Sequence, residues 1–348
     1  MEEKIIFPAE WHPQSAVQLT WPHERTDWAP MLDEVTACFV AVAREIVKRE
    51  KLLIVCAEEA AVRRRLGTID CGRIIFCEAE TNDTWARDHG GITVFTDGKP
   101  TVYDFVFNGW GMKFAANHDN LITRILARTG IFREEVEVIN MQPFVLEGGS
   151  LETDGKGTLL TTVECLASVN RNEYLNKEQL EYHLKDFFGL NRILWLENGY
   201  LAGDDTGSHI DTLARFCDEQ TIAYVQCTDE TDEHFTELQA MEEELKTFRT
   251  ADGKPYRLIP LPMADRILPD GERLPATYAN FLIINGAVLL PVYKSDRDET
   301  AKEALRKAFP AREIIGIDCR ALIKQHGSLH CISMQYPEGV IATHNDNN

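Results

Sequence analysis

The sequence predicts an α/β or α+β protein in which strands outnumber helices and the helices return at intervals. Short apolar runs rich in β-branched residues recur throughout the 348 residues, and most are bounded by Gly, Asn, Asp or Pro, as strands usually are. Stripes of apolar residues with helical spacing lie between some of these runs. Alternation of the two patterns is typical of domains in which helices pack on sheets.

The predicted strands follow one another along the whole chain. In order they are residues 52–56, 74–77, 92–95, 101–107, 136–139, 158–163, 193–196, 222–226, 256–261, 280–284, 287–293, 313–317 and 329–334. Each is short and compatible with the strand lengths of globular proteins.

Three segments have helical character. One apolar stripe consists of Val35, Cys38, Phe39, Val42 and Ile46, and a second consists of Phe235, Leu238, Met241, Leu245 and Phe248. A third helix is predicted to open at Thr300, because Thr300 and Glu303 have the spacing of a capping box.

No low-complexity linker divides the chain, and the acidic stretch 228–244 is interpreted as the exposed face of a helix. We therefore predict a single domain covering residues 1–348. No clear internal repeat is visible, although repeated structure can persist without repeated sequence.

Composition narrows the class of protein. A hydrophobic share of 44% and a charged share of 26% are typical of a globular protein with a substantial core. No apolar run is long enough to predict a membrane span, and the first residues lack the basic and apolar regions of a secretory signal. The nine cysteines are odd in number, scattered and without a Cys-x-x-Cys pair, which favours the cytoplasm and argues against a zinc ribbon.

The formal net charge of −20 disfavours nucleic acid as a partner, because phosphates require surfaces rich in Lys and Arg. An acidic field would help to attract a small cation, or would only keep the protein in solution.

Residues 208–211 contain His209 and Asp211, which in a strand would share one face about 6–7 Å apart along the backbone. A carboxylate beside an imidazole can hold a cation while the histidine moves protons. The alternative is that both residues cap a loop after the polar segment 203–207.

Residues 85–91 place Trp85 three positions before Asp88 and end in two glycines. Asp88 could bind a guanidinium through both oxygens, and Trp85 could pack on a substrate's alkyl chain or planar head. The alternative is a turn with an exposed Arg87–Asp88 ion pair. Trp110 lies in an aromatic turn that could wall a pocket, and Glu147 follows an apolar run at an expected strand end.

Cys331 lies near the end of the chain, between a glycine-serine segment and a proline. A cysteine thiol is a candidate nucleophile, although buried cysteines are common as small apolar residues. His330 is adjacent but would face the opposite side of the predicted strand, which makes it a poor candidate for a general base.

Together these segments resemble the agmatine deiminases of the guanidino-group-modifying superfamily, a resemblance shared with the bacterial-type peptidylarginine deiminases. It also rests on FPAEWHP at residues 7–13, LTWPH at 19–23, TDW at 26–28, ANF at 279–281 and NG at 285–286. The segments occur in the expected order over nearly the whole chain.

The resemblance implies a fold and a reaction. The fold would be a five-bladed α/β propeller of the pentein type, with pseudo-fivefold ββαβ units around a central pocket. The reaction would convert agmatine and water to N-carbamoylputrescine and ammonia through a covalent amidino-cysteine, with neither metal nor cofactor. Members of the family often form homodimers.

The resemblance also assigns roles to individual residues. The implied catalytic residues are Cys331, His209, Glu147, Asp88 and Asp211. Cys331 would attack, His209 would act as acid and base, and Glu147 would orient His209. Asp88 and Asp211 would hold the guanidinium, in a pocket that is completed by Trp85 and Trp110.

The sequence departs from the family pattern at three places. Residues 89–91 read HGG where Thr-Gly-Pro is common, residues 326–331 read HGSLHC where Gly-Gly-Asn-Ile-His-Cys is frequent, and Met112 follows Trp110-Gly111 in place of a glycine. None of these departures removes a reactive group.

Several other functions remain open from sequence alone. The enzyme could deiminate peptidylarginine or free arginine, or transfer the amidino group to an amine. It could also be a catalytically silent protein that binds guanidines or polyamines, although binding alone needs no thiol. A metal site made of His209, Asp211 and Cys331 is conceivable, but its spacing matches no recognised zinc motif.

Overall fold

The computed structural model describes residues 4–269 and 271–342, and it has the α/β composition that the sequence predicts. The strands in chain order are β1 (Ile5–Ile6), β2 (Gln14–Thr20), β3 (Lys51–Cys56), β4 (Ile74–Glu78), β5 (Ile92–Thr96), β6 (Lys99–Val106), β7 (Glu137–Val145), β8 (Glu152–Thr153), β9 (Thr158–Thr162), β10 (Arg192–Leu196), β11 (Ala214–Asp218), β12 (Thr221–Gln226), β13 (Arg257–Pro262), β14 (Leu282–Ile284), β15 (Ala287–Val292), β16 (Glu313–Asp318) and β17 (Ser333–Pro337).

The α-helices are α1 (Leu32–Val47), α2 (Glu59–Leu66), α3 (Ala86–His89), α4 (Gly109–Met112), α5 (Ile122–Arg128), α6 (Val163–Leu166), α7 (Val169–Asn172), α8 (Lys177–Phe188), α9 (Phe235–Thr247) and α10 (Asp298–Ala308). Short 3₁₀ turns include Gly148–Ser150, Ile210–Thr212 and Leu322–Gln325. Within the residues described, none of the helices has both the length and the apolar character needed to cross a membrane.

The strands form five sheets with a recurring topology. Their strand orders are β1-β5-β6-β7, β10-β9-β8, β11-β12-β13, β14-β15-β16 and β17-β2-β3-β4. In each sheet an antiparallel pair is followed by a parallel strand, and a helix lies in the crossover between the two parallel strands. The chain therefore repeats a β-β-α-β order that its sequence does not display.

The fifth sheet joins the two ends of the described chain. β17 pairs antiparallel with β2, with Ser333 opposite Leu19, and β2 pairs in parallel with β3. Because Cys331 lies two residues before β17, this pairing fixes the position of its thiol relative to the start of the chain.

The two apolar stripes form helices that pack on sheets, as predicted. In α1, Val35, Phe39, Val42 and Ile46 are fully buried. Full burial of each such side chain contributes about 1.5–3 kcal/mol relative to exposure. In α9, Leu238, Met241 and Leu245 are buried in the same way.

The predicted start of the third helix is wrong. Helix α10 begins at Asp298, two residues before Thr300, and no side chain caps its first turn. The Asp298 carboxylate instead accepts hydrogen bonds from the Tyr278 hydroxyl at 2.6 Å and the Tyr293 backbone at 3.1 Å. The helix is therefore anchored by tertiary contacts that a local capping pattern cannot report.

Candidate active site

Cys331 lies in a turn and not in a strand, so the predicted strand over residues 329–334 is wrong for most of its length. β17 begins only at Ser333. The backbone of Cys331 is held by Arg87, whose N–H donates to its carbonyl at 3.1 Å, and by the side-chain oxygen of Asn280 at 3.3 Å from its own N–H. Its thiol is buried and lies 3.4 Å from Asn280 Oδ1 and 3.9 Å from Asp211 Oδ2.

The surroundings of Cys331 favour the protonated thiol. Burial, followed by the negative charges of Asp211 and Asp88, raises the pKa of the thiol well above its usual value. The protonated form of the Cys331 thiol is therefore favoured, and a cation placed between the carboxylates would oppose that effect.

His209 and Asp211 do not share a strand face as predicted, because residues Ile210–Thr212 form a 3₁₀ turn. The Thr212 N–H and hydroxyl both donate to the His209 carbonyl, at 3.2 and 2.8 Å. The turn directs both side chains into the same fully buried region. The two residues are thus brought together by backbone capping and not by strand periodicity.

His209 lies between two carboxylates. Its Nε2 is 3.3 Å from Glu147 Oε2, and its Nδ1 is 3.6 Å from Asp88 Oδ1. Burial alone would lower the pKa of His209, but the charge of Asp88 and the contacts with Cys165 and Glu147 raise it well above the usual value. The ring is therefore charged near neutral pH and can donate a proton.

Asp88 is fixed by two donors. Trp110 Nε1 donates to Oδ2 at 2.9 Å, and the Gly149 N–H donates to Oδ1 at 3.0 Å. Burial is the main cause that raises the pKa of Asp88 to about 6, with Asp211 and Glu147 acting in the same direction. The exposed Arg87–Asp88 ion pair considered from sequence does not form, since both side chains are buried and Arg87 donates to Gln335 at 2.6 Å.

Glu147 follows the end of β7, as expected, and is fully buried. Arg171 Nε donates to both of its oxygens, at 2.7 and 3.1 Å. Burial would raise the pKa of Glu147, but His209 and Arg171 lower it below its usual value, so it is ionised beside the imidazole. Arg171 was not predicted from the sequence, because it lies in a polar helical segment without a recognisable motif.

Gly149 is the point where three of these groups meet. A Cβ atom built there would lie 2.5 Å from His209 Nδ1, 2.8 Å from Asp88 Oδ1 and 3.2 Å from Asp211 Oδ2. His209, Asp88 and Asp211 therefore surround one small space, and only a glycine leaves it open.

A cavity of about 170 Å³ leads from the surface to Cys331. Its walls include Cys331 itself, Asp88 and the aromatic side chains Trp85, Trp110 and Phe114, and the remaining lining residues are Asp27, Asp83, Asp205, Thr206, Gln325, His326 and Gly327. Gly327 makes room for Trp85, because a Cβ there would lie 2.2 Å from the indole. Trp110 adopts a left-handed backbone conformation with φ 57°, which aims its indole at Asp88.

A model of the Porphyromonas-type peptidyl-arginine deiminase family matches residues 6–337. The chain belongs to this family. The agmatine deiminase of Stutzerimonas stutzeri (strain A1501) is 32% identical over 356 residues, which cover 97% of this chain and 96% of the relative. The match to the family model therefore extends over nearly all of the described residues.

Two solved structures of deiminases are similar over their full lengths. A Porphyromonas gingivalis protein described provisionally as an arginine deiminase has a TM-score of 0.94 at 57% sequence identity, covering 97% of this chain and all 100% of its own. The C. jejuni agmatine deiminase, solved as a cysteine-to-serine variant with substrate bound, has a TM-score of 0.91 at 40% identity, covering 97% of this chain and 98% of its own. This chain is an enzyme of the amidine-hydrolysing deiminases.

Two of the departures from the deiminase pattern lie in packed positions, and the third is exposed. His89 is buried beside Phe107, with ring centroids 6.1 Å apart, and burial lowers the pKa of its imidazole to about 3. Ser328 is buried and its hydroxyl lies 2.9 Å from the Tyr293 hydroxyl. Met112 is 71% exposed. His89 and Ser328 are therefore packing residues, and Met112 lies at the surface.

Candidate metal ligands in the described residues differ from the set considered from sequence. Ligand atoms of Glu147, Cys165 and His209 lie within 4.8 Å of one another, and so do those of Asp232, Glu233 and His234. In the first group the Arg171 guanidinium already neutralises Glu147, and in the second Arg273 donates to both carboxylates, at 2.8 and 3.1 Å. Both groups are thus built as ion-pair networks.

His330 contacts the site, contrary to the prediction that it faces away. Its Nδ1 lies 2.7 Å from Asp211 Oδ2, because residues 329–332 turn and do not alternate as a strand would. Glu10 and Asn280, which contact His330 and Cys331, were also not predicted as site residues. Both lie in segments that carry the resemblance, and a carboxylate within the apolar and aromatic run 7–13 was the available signal.

Proposed function

We propose that this enzyme hydrolyses agmatine to N-carbamoylputrescine and ammonia. The observation that carries the proposal is one buried site in which Cys331 Sγ lies 3.9 Å from Asp211 Oδ2 and His209 Nδ1 lies 3.6 Å from Asp88 Oδ1, with His209, Asp88 and Asp211 all close to Gly149. These groups match the requirements of a planar cation that is attacked at its central carbon.

The two carboxylates would hold the substrate. Asp88 and Asp211 can each accept hydrogen bonds from guanidinium nitrogens, and such charge-assisted bonds fix both distance and orientation. Asp211 Oδ1 and His209 Nδ1 are buried and make no hydrogen bond within the described residues, so both are available to a ligand. Orientation of this kind can contribute several kcal/mol toward the barrier.

Attack by sulfur would then form the covalent intermediate. The bound cation favours loss of the thiol proton to solvent, and the Cys331 thiolate adds to the central carbon. His209 donates its proton to one terminal nitrogen, and the C–N bond breaks. Ammonia departs, and the amidino group remains bound to the sulfur.

Hydrolysis would complete the cycle. Neutral His209 accepts a proton from water, and the resulting hydroxide adds to the same carbon. The thiolate departs with the electrons of the C–S bond and takes up the proton of the new hydroxyl group, which regenerates the thiol. The product is a urea, N-carbamoylputrescine. Glu147, itself held by Arg171, would keep the His209 ring oriented and stabilise its charged form through both half-reactions.

The lining of the cavity favours agmatine over arginine. Four aspartates, Asp27, Asp83, Asp88 and Asp205, line it, and none of its described lining residues is Lys or Arg. An amine at the distal end of the substrate is compatible with this acidic wall, whereas the carboxylate of free arginine would be repelled. A peptidylarginine deiminase and a silent guanidine-binding protein are less well supported, the latter because binding needs neither a thiol nor a charged histidine.

We further propose that the five β-β-α-β units are the blades of a pentein-type propeller in a single domain spanning residues 1–348, with the site at its centre. The site residues Asp88, Glu147, His209 with Asp211, and Cys331 come from four different connections between sheets, as a central position requires. We expect the protein in the cytoplasm, because all nine cysteines are free, and we expect a homodimer by analogy with the family.

The test is ammonia release from agmatine, free arginine and an arginyl peptide, compared as kcat/KM at pH 7. We expect agmatine to exceed both others by at least about 100-fold, since one buried unpaired charge costs several kcal/mol. Preference for arginine or for the peptide would overturn the proposed substrate.

A further inference from the structure

His330 links two buried carboxylates. Its Nδ1 lies 2.7 Å from Asp211 Oδ2, and its Nε2 lies 2.7 Å from Glu10 Oε2. The side chains of His330 and Asp211 are at most 1% exposed, and that of Glu10 is 6% exposed. No step of the proposed reaction uses His330 or Glu10.

His330 contacts charged groups through both ring nitrogens. Its Nδ1 lies 2.7 Å from Asp211 Oδ2, and an ionised carboxylate can only accept, so Nδ1 is the donor. Its Nε2 lies 2.7 Å from Glu10 Oε2 and 3.1 Å from Arg215 Nη2, so the ring connects Asp211 to the Glu10–Arg215 ion pair.

Glu10 is itself anchored. The Ile283 N–H donates to its Oε1 at 2.7 Å, and Arg215 Nη2 donates to its Oε2 at 2.5 Å. Arg215 is fully buried and also donates to Glu152 at 2.7 Å. Although burial would raise it, the pKa of Glu10 is lowered by His330 and Arg215, so Glu10 remains charged.

The two carboxylate oxygens of Asp211 therefore have different surroundings. Its Oδ2 accepts from His330, whereas its Oδ1 is buried and accepts no hydrogen bond within the described residues. A carboxylate that is held through one oxygen can rotate about its side-chain bonds. The short hydrogen bond from His330 restricts that rotation in Asp211.

We propose that His330 and Glu10 are positioning residues that clamp Asp211 Oδ2, so that Asp211 stays ionised and presents Oδ1 to the substrate guanidinium. This inference rests on the proposed function of Asp211 as a guanidinium ligand. It assigns a task to the histidine that directly precedes the nucleophile in the chain.

The charged and titratable groups around the clamp come from separate elements. Asp211 faces His209, Asp88, Cys331, His330 and Arg215, and His330 faces Glu10, Arg215, Glu152 and, through its carbonyl, Arg87. Burial raises the pKa of Asp211, but the hydrogen bond and charge of His330, together with the charges of His209 and Arg215, outweigh burial and lower the pKa below the usual value. Without His330 the carboxyl of Asp211 would therefore take up a proton at higher pH.

The experiment measures agmatine binding by calorimetry between pH 5 and 8 in a Cys331→Ser background, where no turnover interferes. His330→Asn is added because an asparagine side chain is too short to bridge Asp211 and Glu10 as the imidazole does. Glu10→Gln is the second variant, and it keeps the shape of the side chain while removing its charge. His234→Asn is the matched control. The side chain of His234 is 1% exposed and its Nδ1 lies 2.8 Å from Asp232 Oδ1, but it is not among the described residues that contact Cys331.

We expect His330→Asn to weaken agmatine binding at least about tenfold at pH 7. The pH below which binding is lost should also rise by about one unit. Glu10→Gln should act in the same direction, and it carries the test if His330→Asn does not fold. His234→Asn should lower thermal stability without changing the pH below which binding is lost.

Binding with the same pH dependence in the presence and absence of His330 would overturn the inference and leave the proposed function intact. If instead the Cys331→Ser protein binds no agmatine at any pH, and the wild-type protein releases no ammonia from it, both are overturned.

Discussion

Gly149→Ala should disable the site while leaving the fold in place. Gly149 does not have a positive φ, so an alanine is compatible with its backbone. The harm is local, because the added methyl group would enter the space between His209, Asp88 and Asp211.

The size of the effect follows from the contact distances. The new Cβ would lie 2.5 Å from His209 Nδ1, where ordinary contact begins at 3.4 Å, so the imidazole or the backbone has to move by about 0.9 Å. Displacement of a catalytic group by about 1 Å costs about 100-fold in rate, which corresponds to about 2.7 kcal/mol of activation free energy. Overpacking should lower the free energy of unfolding by about 1–3 kcal/mol.

The assay compares kcat/KM for agmatine with the thermal unfolding midpoint of the same protein. Gly316→Ala is the matched control, since its Cβ would lie 3.1 Å from Val292 Cγ1 on an exposed part of β16. The control should retain full activity. Activity of Gly149→Ala within about threefold of wild type would refute the claim that catalysis depends on the placement of His209, Asp88 and Asp211 around this space.

Four further outcomes are expected. Cys331→Ser should abolish ammonia release while leaving agmatine binding largely intact, and full activity would exclude a nucleophilic role. Iodoacetamide alkylation followed against pH should give a thiol pKa above that of free cysteine, falling when a guanidinium mimic is bound; an unchanged pKa would disprove substrate-promoted activation. The kcat/KM should fall as the pH drops through about 6, because Asp88 takes up a proton there. Trp110→Phe should move this decline in kcat/KM to higher pH, because the charged form of Asp88 loses a hydrogen bond. A decline at an unchanged pH would contradict this role of Asp88. Arg171→Met should lower the free energy of unfolding by about 3–5 kcal/mol in urea titrations, because it leaves Glu147 buried without its cation, whereas a loss under about 1 kcal/mol would show that the pair is not structurally important.

Local pattern was sufficient for most of the strands and for two of the longer helices. The stripes of α1 and α9 and the apolar runs of the sheets are properties of neighbouring residues, and the structure places them as helices and strands. The start of α10 was misplaced because Asp298 is bound by Tyr278 and Tyr293, which a capping motif does not include.

The irregular segments that carry the site could not be predicted in the same way. His209 and Asp211 lie in a 3₁₀ turn, and Cys331 lies in a turn held by Asn280 and Arg87, so strand periodicity misjudged all three. Resemblance named these residues because it follows motifs and not conformation.

The partners of the site residues were hidden for a different reason. Arg171 and Glu147 are 24 positions apart, Glu10 and Arg215 are 205 apart, and Glu10 and His330 are 320 apart. Each pair forms only when separate sheets come together, and a single sequence contains no signal that couples such positions. His330 was dismissed on the same basis, since its direction depends on a turn and not on a strand.

The central claim is that the sulfur of Cys331 attacks the guanidinium carbon. It is tested most directly by mixing enzyme and agmatine, quenching with acid within the first turnovers, and analysing the peptide that contains Cys331 by mass spectrometry. We predict a fraction of this peptide heavier by the mass of agmatine less ammonia. Turnover without any adduct on Cys331, together with undiminished turnover in Cys331→Ser, would contradict the account.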